Sequence, residues 1–283
     1  MQLSHARSLL FLPAISPHLL PKATQRGADA LIVDLEDSVP LARKAEARGM
    51  AAAAIAQLAP ETTVLVRVNA PADLLGDDLA ALPLDVVAAV MLPKVESAQQ
   101  VRALAADLAR LVPARRAPVP IVALIETARG VIEARDIAQS HPSLCALGFG
   151  AEDYAAEMFV APQPQSLMWP AQQVTTCARA FGLPCWGLPG SVAEAEDMQA
   201  FGQLVADARA IGFTGTVCIH PRQVPVVNAG FEVTVHELAW ARQVMAADAD
   251  ARAKGLGAVM LDGRMIDLPI VERARRWLER AGG

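Results

Sequence analysis

Gly27-Ala-Asp-Ala-Leu-Ile-Val-Asp34 contains the short apolar run that decides the fold, because the same pattern recurs along the chain. The run Ala28–Asp34 is too short for a helix and rich in Val, Ile and Leu, as expected of a parallel strand buried on both faces. The other runs of this kind are Ser8–Pro13, Thr63–Asn69, Ala88–Pro93, Pro120–Glu126, Leu144–Gly150, Pro184–Leu188 and Thr216–His220.

Amphipathic stretches separate these runs and predict helices. The clearest are Leu41–Leu58, Ala98–Leu111, Ala128–Ser140 and Ala193–Ile211. Repeated strand–helix units, eight in all, predict an α/β fold, a (β/α)8 TIM-like barrel. A doubly wound sheet is the alternative, and we favour the barrel because no GxGxxG follows the first strand.

The barrel is predicted to end near Val227, so residues 1–227 form the catalytic domain and residues 228–283 an extension. Asp262-Gly263 supplies the positive φ that a tight hairpin turn requires. We therefore interpret the extension as a helix–hairpin–helix lid. Its predicted elements are a helix at His236–Arg252, strands at Val259–Leu261 and Met265–Leu268, and a helix at Pro269–Arg280.

The composition excludes several classes of function. The net charge is −5 and no basic run occurs, so nucleic acid is not an expected partner. No segment approaches the ~20 apolar residues of a membrane span. The four cysteines form no CxxC motif, so we expect reduced, buried thiols in a cytoplasmic protein.

Polar residues follow or end most of the predicted strands. Barrel enzymes carry their sites at the carboxyl ends of the strands, so these residues are candidates for one site. Each alone could cap a helix or form a rim ion pair. A buried Arg67 requires a nearby carboxylate. The candidates are Asp34, Glu36, Asp37, Arg67, Asn69, Lys94, Glu126, Asp153 and His220.

Two carboxylates on adjacent strands, Glu126 and Asp153, indicate a hard cation. No His or Cys cluster lies near either in sequence. Mg²⁺ takes one or two protein carboxylates and completes its octahedron with water and substrate oxygens. Zinc is disfavoured because the five histidines show neither HxxxH nor HxH spacing.

The ordered set of motifs resembles the citrate lyase β-subunit-like family of the HpcH/HpaI aldolase superfamily, whose members include malyl-CoA and citramalyl-CoA lyases. Each motif is weak alone, but together they cover nearly the whole chain. They are Arg7-Ser-Leu-Leu-Phe11, Gly27 to Pro40, Val66-Arg-Val-Asn69, Leu92-Pro-Lys-Val-Glu96, Ile125-Glu-Thr-Ala-Arg-Gly130, Gly148-Phe-Gly-Ala-Glu-Asp153, Gly212-Phe-Thr-Gly215 with Ile219-His-Pro221, and Leu261-Asp-Gly-Arg-Met-Ile-Asp-Leu-Pro269.

The resemblance implies a role for each matching position. Glu126 and Asp153 would ligate Mg²⁺, and Glu126 would also face the substrate. Arg67 would bind substrate and the oxygen that gains charge, while Glu36 and Asp37 would support it. Asp267 would move the proton from a lid that lies over a neighbouring subunit, in a homotrimer or hexamer.

The implied activity is Mg²⁺-dependent carbon–carbon cleavage of a 3-hydroxyacyl thioester of the malyl, citramalyl or citryl type. The products are an α-keto acid and an acyl thioester, and the carrier is CoA or a carrier protein. A thioesterase or a condensing enzyme on the same site is one alternative. A β subunit of a carrier-protein-dependent citrate lyase complex is another.

The chain departs from the family pattern at the substrate periphery. Pro13–Pro17 replaces the usual Pro-Gly-Asn-Arg loop near the expected CoA path. Trp186-Gly187 stands where an Ile-Asp pair is common, and Thr216 where a lysine is usual. Ala171 replaces an arginine. We therefore expect retained lyase chemistry on an acyl group or carrier that differs from the common one.

Overall fold

The computed structural model describes residues 3–193 and 197–282. The chain divides into two compact units, one ending at Phe231 and the other beginning at Glu232. The division predicted after Val227 falls inside a helix, Gln223–Phe231.

The first unit is built on eight parallel strands, so the predicted (β/α)8 barrel is confirmed. Neighbours pair in chain order from β1 to β7, and β8 pairs with β1. A single bridge between Trp186 and Gly215 closes the ring between β7 and β8. The strands are β1 (Ser8–Pro13), β2 (Ala30–Asp34), β3 (Val64–Arg67), β4 (Ala89–Leu92), β5 (Ile121–Ile125), β6 (Leu144–Phe149), β7 (Cys185–Trp186) and β8 (Thr216–Cys218).

Helices follow the strands and surround the ring. They are α1 (Lys44–Leu58), α2 (Ala72–Ala81), α3 (Ala98–Leu111), α4 (Ala128–Ala138), α5 (Ala151–Glu157), α6 (Pro164–Ala180), α7 (Met198–Ala210) and α8 (Gln223–Phe231). Sequence predicted α3 to the residue. The predicted start of α7 at Ala193 was too early, since the Asp197 carboxylate caps the helix by accepting from Gln199 and Ala200. Predicted helical residues 194–196 lie outside the described part of the chain.

The barrel interior is a separate apolar cluster from the one between strands and helices. Leu9, Ile32, Leu65 and Met91 fill it from four strands. Trp186 is fully buried there, and its indole nitrogen donates to the Ala6 carbonyl. Side chains inside such a barrel form a packed core. Among the described residues, the charged side chains that can form a site therefore lie at the ends of the strands and not inside the ring.

The second unit contains α9 (Val235–Ala253), a hairpin of β9 (Val259–Leu261) and β10 (Arg264–Ile266), and α10 (Leu268–Gly282). The helix–hairpin–helix elements are present as predicted, but β10 begins one residue earlier and ends two residues earlier than predicted, and Leu268 belongs to α10. A two-residue turn at Asp262-Gly263 pairs Arg264 with Leu261. Thr234 and Glu237 form a capping box that starts α9. Among the described helices, none is long and apolar enough to cross a bilayer.

Candidate active site

Arg67 is a buried cation at the carboxyl end of β3. It lies opposite Asp34 in the β2–β3 register. Its Nε donates to Asp34 Oδ1 at 2.7 Å and its Nη2 to Oδ2 at 2.8 Å, while its Nη1 lies 3.0 Å from Glu36 Oε2 and 3.3 Å from Asp37 Oδ2. Burial alone would lower the pKa of Arg67, but the hydrogen bonds and charges of these carboxylates raise it. The guanidinium is therefore fixed and permanently charged.

Lys94 links this cluster to the next group of acids. It follows β4 in a left-handed conformation, with φ of 52°, which is unusual for a residue with a side chain. Its Nζ lies 2.6 Å from Glu36 Oε1 and 3.8 Å from Asp153 Oδ1, and its backbone N–H donates to Glu126 Oε1 at 2.8 Å. Its Nζ also lies 3.7 Å from Asp37 Oδ1, so one residue contacts four of the carboxylates predicted for the site.

Glu126 follows β5 and is almost fully buried. Burial, and then the charges of Asp153 and Glu36, raise its pKa to about 8 against the opposing effect of Lys94. Gly150 makes room for it, since a Cβ at this position would lie 2.7 Å from the Glu126 Cβ. A buried carboxylate next to other acids is an excess of negative charge that a bound cation would neutralise.

Asp153 and Glu152 lie in the first turn of α5, just after β6. Glu152 accepts a short hydrogen bond from the Ser191 hydroxyl, which ties α5 to the loop after β7. In that position the two acids face the same helix terminus, where the helix dipole favours negative charge.

A cavity of about 450 Å³ joins these groups. Its lining divides by strand. Every ionisable lining residue comes from strands β2 to β6 or the segment that follows each: Asp34, Asp37, Arg67, Glu126, Glu152 and Asp153. Strands β1, β7 and β8 and their loops contribute only uncharged residues among those described, chiefly Phe11, Leu188, Val192, Val217 and Ile219. We call the first set the charged arc and the second the apolar arc.

Gln223 supports the apolar arc through side-chain hydrogen bonds to the backbone of its loops. Its side chain is fully buried at the start of α8. Its Oε1 accepts from the backbone N–H groups of Ile219 and His220, at 2.9 and 3.0 Å, and its Nε2 donates to the Val192 carbonyl at 2.7 Å. The loops after β7 and β8 are therefore held together by one amide.

Of the predicted site residues, Glu36, Asp37, Arg67, Glu126 and Asp153 come together at one end of the barrel. Asp267 lies at the start of α10 in the second unit. Sequence reasoning required a carboxylate for Arg67 and placed Asp34 among the candidates, but it did not assign Asp34 as the partner of Arg67. It missed Gln223, whose only signal is its position three residues after His220.

Comparison with known proteins decides the family. The family model described as HpcH/HpaI aldolase/citrate lyase matches residues 7–221. The citrate lyase subunit beta-like protein of Deinococcus radiodurans is 35% identical over 96% of each chain. The chain belongs to the HpcH/HpaI aldolase/citrate lyase family. The protein CitE of Mycobacterium tuberculosis, solved in complex with magnesium, acetoacetate and coenzyme A, has 32% identity, a TM-score of 0.77 and full coverage of both chains.

The family also contains a different named activity. The (3S)-malyl-CoA thioesterase of Cereibacter sphaeroides is 32% identical to this chain and covers 97% of it, with 94% of its own length aligned. Relatives of this chain in the HpcH/HpaI aldolase/citrate lyase family thus carry both citrate lyase and thioesterase names.

Proposed function

We propose that this protein is a Mg²⁺-dependent carbon–carbon lyase that cleaves a 3-hydroxyacyl thioester into a 2-oxo acid and an acyl thioester. The observation that carries this proposal is the site itself. Two carboxylates, the buried Glu126 and the partly exposed Asp153, face the same cavity as Arg67, whose guanidinium contacts three carboxylates. Family membership supports the same chemistry.

Glu126 and Asp153 would hold the cation. Their oxygens are hard ligands. Burial and the charge of Asp153 raise the pKa of Glu126 to about 8, so its ionisation is unfavourable until a dication binds and compensates the charge. Within the described residues no three His, Cys, Asp or Glu side chains gather as a ligand set, and Mg²⁺ needs only one or two carboxylates. When bound, Mg²⁺ supplies Lewis acidity that lowers the pKa of a coordinated hydroxyl. The magnesium-containing relative supports this choice of metal.

Arg67 would bind the substrate and stabilise the oxygen on which negative charge grows. Two of its nitrogens are used by Asp34, so the guanidinium cannot swing away as charge develops. Phe11 lies under it, 4.6 Å from the ring centroid to Cζ. Preorganised donors of this kind are worth about 10²–10³ in kcat. Glu36 and Asp37 would act as positioning residues for Arg67 and Lys94.

The reaction needs one proton removed and one added. The substrate hydroxyl loses its proton, the bond between the hydroxyl-bearing carbon and the methylene next to the thioester breaks, and its electron pair forms a thioester enolate. The enolate carbon then gains a proton, so the overall proton balance is zero. We propose Asp267 as the donor, in a lid that extends from residue 228 over a neighbouring copy of the barrel, in a homotrimer or hexamer.

Product analysis tests the lyase. Purified protein, with and without Mg²⁺, is offered malyl-, citramalyl- and citryl-CoA and the products are identified by mass spectrometry. The proposal expects Mg²⁺-dependent 2-oxo acid from at least one substrate and its loss in Glu126→Gln. The matched variant Glu61→Gln, an exposed acid away from the cavity, should keep the activity.

The thioesterase remains the second candidate because a relative carries that name. It would release the intact hydroxy acid and free CoA, so the same experiment separates the two. A chain that serves as the β subunit of a lyase complex would leave all CoA thioesters intact and cleave only the carrier-protein thioester.

Mixed oligomers test the shared lid. Glu126→Gln and Asp267→Asn are each expected to be inactive, but subunits of the two variants mixed by denaturation and refolding should regain part of the activity. Recovery requires that the lid of one copy completes the barrel of another. No recovery, with intact mixed oligomers present, would argue that each chain covers its own site.

A further inference from the structure

The two arcs of the cavity differ in what they can bind. The charged arc holds the groups assigned to the cation and to Arg67, so the substrate carboxylate and hydroxyl must sit there. In the proposed reaction the thioester oxygen lies at Arg67, in the same charged arc, so the fourth substituent on the hydroxyl-bearing carbon faces the apolar arc of Leu188, Val192, Val217 and Ile219. A methyl or longer alkyl group gains burial against such a wall, whereas a carboxylate loses water without a partner.

The cations near the cavity are already engaged. Arg67 contacts Asp34, Glu36 and Asp37. Lys94 contacts Glu36, Asp37 and Asp153. A third cation, Lys44, lies behind the loop after β2 and donates to the Leu35 and Glu36 carbonyls, so three described cations stand against six carboxylates when Glu126 and Glu152 are included. Even a bound dication leaves the site negative, so a second carboxylate on the substrate would be repelled.

The packing around Gly187 leaves no space for a charged side chain at this position of the cavity lining. A Cβ there would lie 2.8 Å from Phe213 Cε1 and 3.0 Å from Phe149 Cβ, so the Phe213 ring and the Phe149 side chain fill that space. Thr216 is the neighbouring lining residue on β8.

We infer that this enzyme is selective for thioesters whose hydroxyl-bearing carbon carries a short alkyl group, so that its keto product is a 2-oxo monocarboxylic acid. This inference rests on the proposed lyase activity and narrows its substrate class. Citramalyl-type thioesters and their ethyl analogue fit it. Citryl thioesters, which place a second carboxylate on that carbon, do not.

The test compares kcat/KM across malyl-, citramalyl-, 2-ethylmalyl- and citryl-CoA at fixed Mg²⁺. Each buried methylene is expected to raise kcat/KM about fourfold. Citryl-CoA is expected to lie at least about tenfold below citramalyl-CoA. Equal or better cleavage of citryl-CoA overturns the inference while leaving the lyase proposal intact.

A charge added to the apolar arc should change this preference. Ile219→Lys places a cation at a half-exposed lining position, and the ratio of citramalyl-CoA to citryl-CoA kcat/KM should fall at least about tenfold. The matched control is Ile132→Lys, the same change at an exposed residue of α4 that does not line the cavity, and its ratio should equal that of the wild type. If the ratio is unchanged in Ile219→Lys, the substituent on the hydroxyl-bearing carbon does not lie against the apolar arc.

A binding measurement keeps the inference testable if no thioester is cleaved, the result that would defeat the lyase proposal. Titration calorimetry with Mg²⁺ compares 2-oxobutyrate with freshly dissolved oxaloacetate. The inference expects 2-oxobutyrate to bind at least about tenfold more tightly. Equal or tighter binding of oxaloacetate contradicts it, whatever the catalytic result.

Discussion

Asp34 and Arg67 face each other on neighbouring strands and form a fork of two parallel hydrogen bonds, with nitrogen–oxygen distances of 2.7 and 2.8 Å. Asp34 also accepts from the backbone N–H groups of Glu36 and Ser38. Burial would raise the pKa of Asp34, but the hydrogen bonds and charge of Arg67 lower it. The pair therefore stays ionised and fixes both the guanidinium and the loop after β2.

Removing the charge of Asp34 should harm both stability and activity. Asp34→Asn leaves the buried Arg67 without its main partner, which should lower the free energy of unfolding by about 3 kcal/mol. The kcat should fall at least about tenfold because the guanidinium loses its fixed position. Denaturant unfolding and steady-state kinetics measure the two effects. Asp29→Asn, which breaks the Arg7–Asp29 pair before β2, should reduce stability but keep kcat.

The raised pKa of Glu126 makes stability depend on pH in the absence of Mg²⁺. Because the folded pKa of about 8 exceeds the ordinary value of 4.5, the stabilisation is complete below 4.5 and is lost as the pH rises through 8. The Tm of the wild type relative to Glu126→Gln should therefore fall between pH 5 and 8.5. With Mg²⁺ the trend should reverse, since the cation binds the ionised carboxylate. If the difference in Tm between the wild type and Glu126→Gln does not change with pH, either without or with Mg²⁺, Glu126 is not a ligand of the metal.

Gly150→Ala should weaken Mg²⁺ binding without unfolding the barrel. The added methyl group would collide with the Glu126 Cβ, which is too close to the backbone to move aside freely, so the carboxylate must shift. Mg²⁺ affinity, measured by calorimetry, should fall at least about tenfold. Gly49→Ala in α1 is the matched control, since a methyl group there meets nothing within 4 Å and should stabilise the helix slightly.

Gln223→Met should loosen the apolar arc. Methionine is similar in size but leaves two N–H groups and one carbonyl without their partner, at a cost of about 1–3 kcal/mol. KM for the thioester should rise several-fold while Mg²⁺ affinity stays unchanged, because Gln223 does not contact the charged arc. Gln223→Glu, which keeps the acceptor for Ile219 and His220, should recover part of the loss. A fall in kcat alone, with KM unaltered, would contradict this positioning role.

The barrel was predictable because its signal is local. Each strand is a short apolar run buried on both faces, so Ala28–Asp34 and its counterparts are visible without any tertiary information. The exact ends of the strands and helices were harder to predict from the sequence. The first residues of Leu41–Leu58 form a separate 3₁₀ turn, and α1 begins only at Lys44, whose ammonium is buried against the Leu35 and Glu36 carbonyls.

Site residues could be predicted where a charged residue directly follows a strand. Contacts that depend on how two neighbouring strands are aligned could not be predicted. Glu126 and Asp153 follow strands and could be assigned from that position alone. The Asp34–Arg67 fork depends on two strands aligned residue for residue. The reach of Gln223 depends on a loop 31 residues away. The left-handed backbone of Lys94 has no signal in its residue type, since lysine rarely adopts it.

The ring of strands is joined unevenly. Five residue pairs link β1 to β2 and five link β5 to β6, whereas a single bridge closes β7 onto β8. The charged arc therefore stands on strands joined by three to five residue pairs, whereas β7 and β8, which carry most of the apolar arc, meet at the seam. Backbone amides near Trp186 and Gly215 should exchange with deuterium sooner than those of β2 or β5. Substrate preference can then diverge among descendants of this chain by changes at the seam, without disturbing the carboxylates on which the chemistry depends.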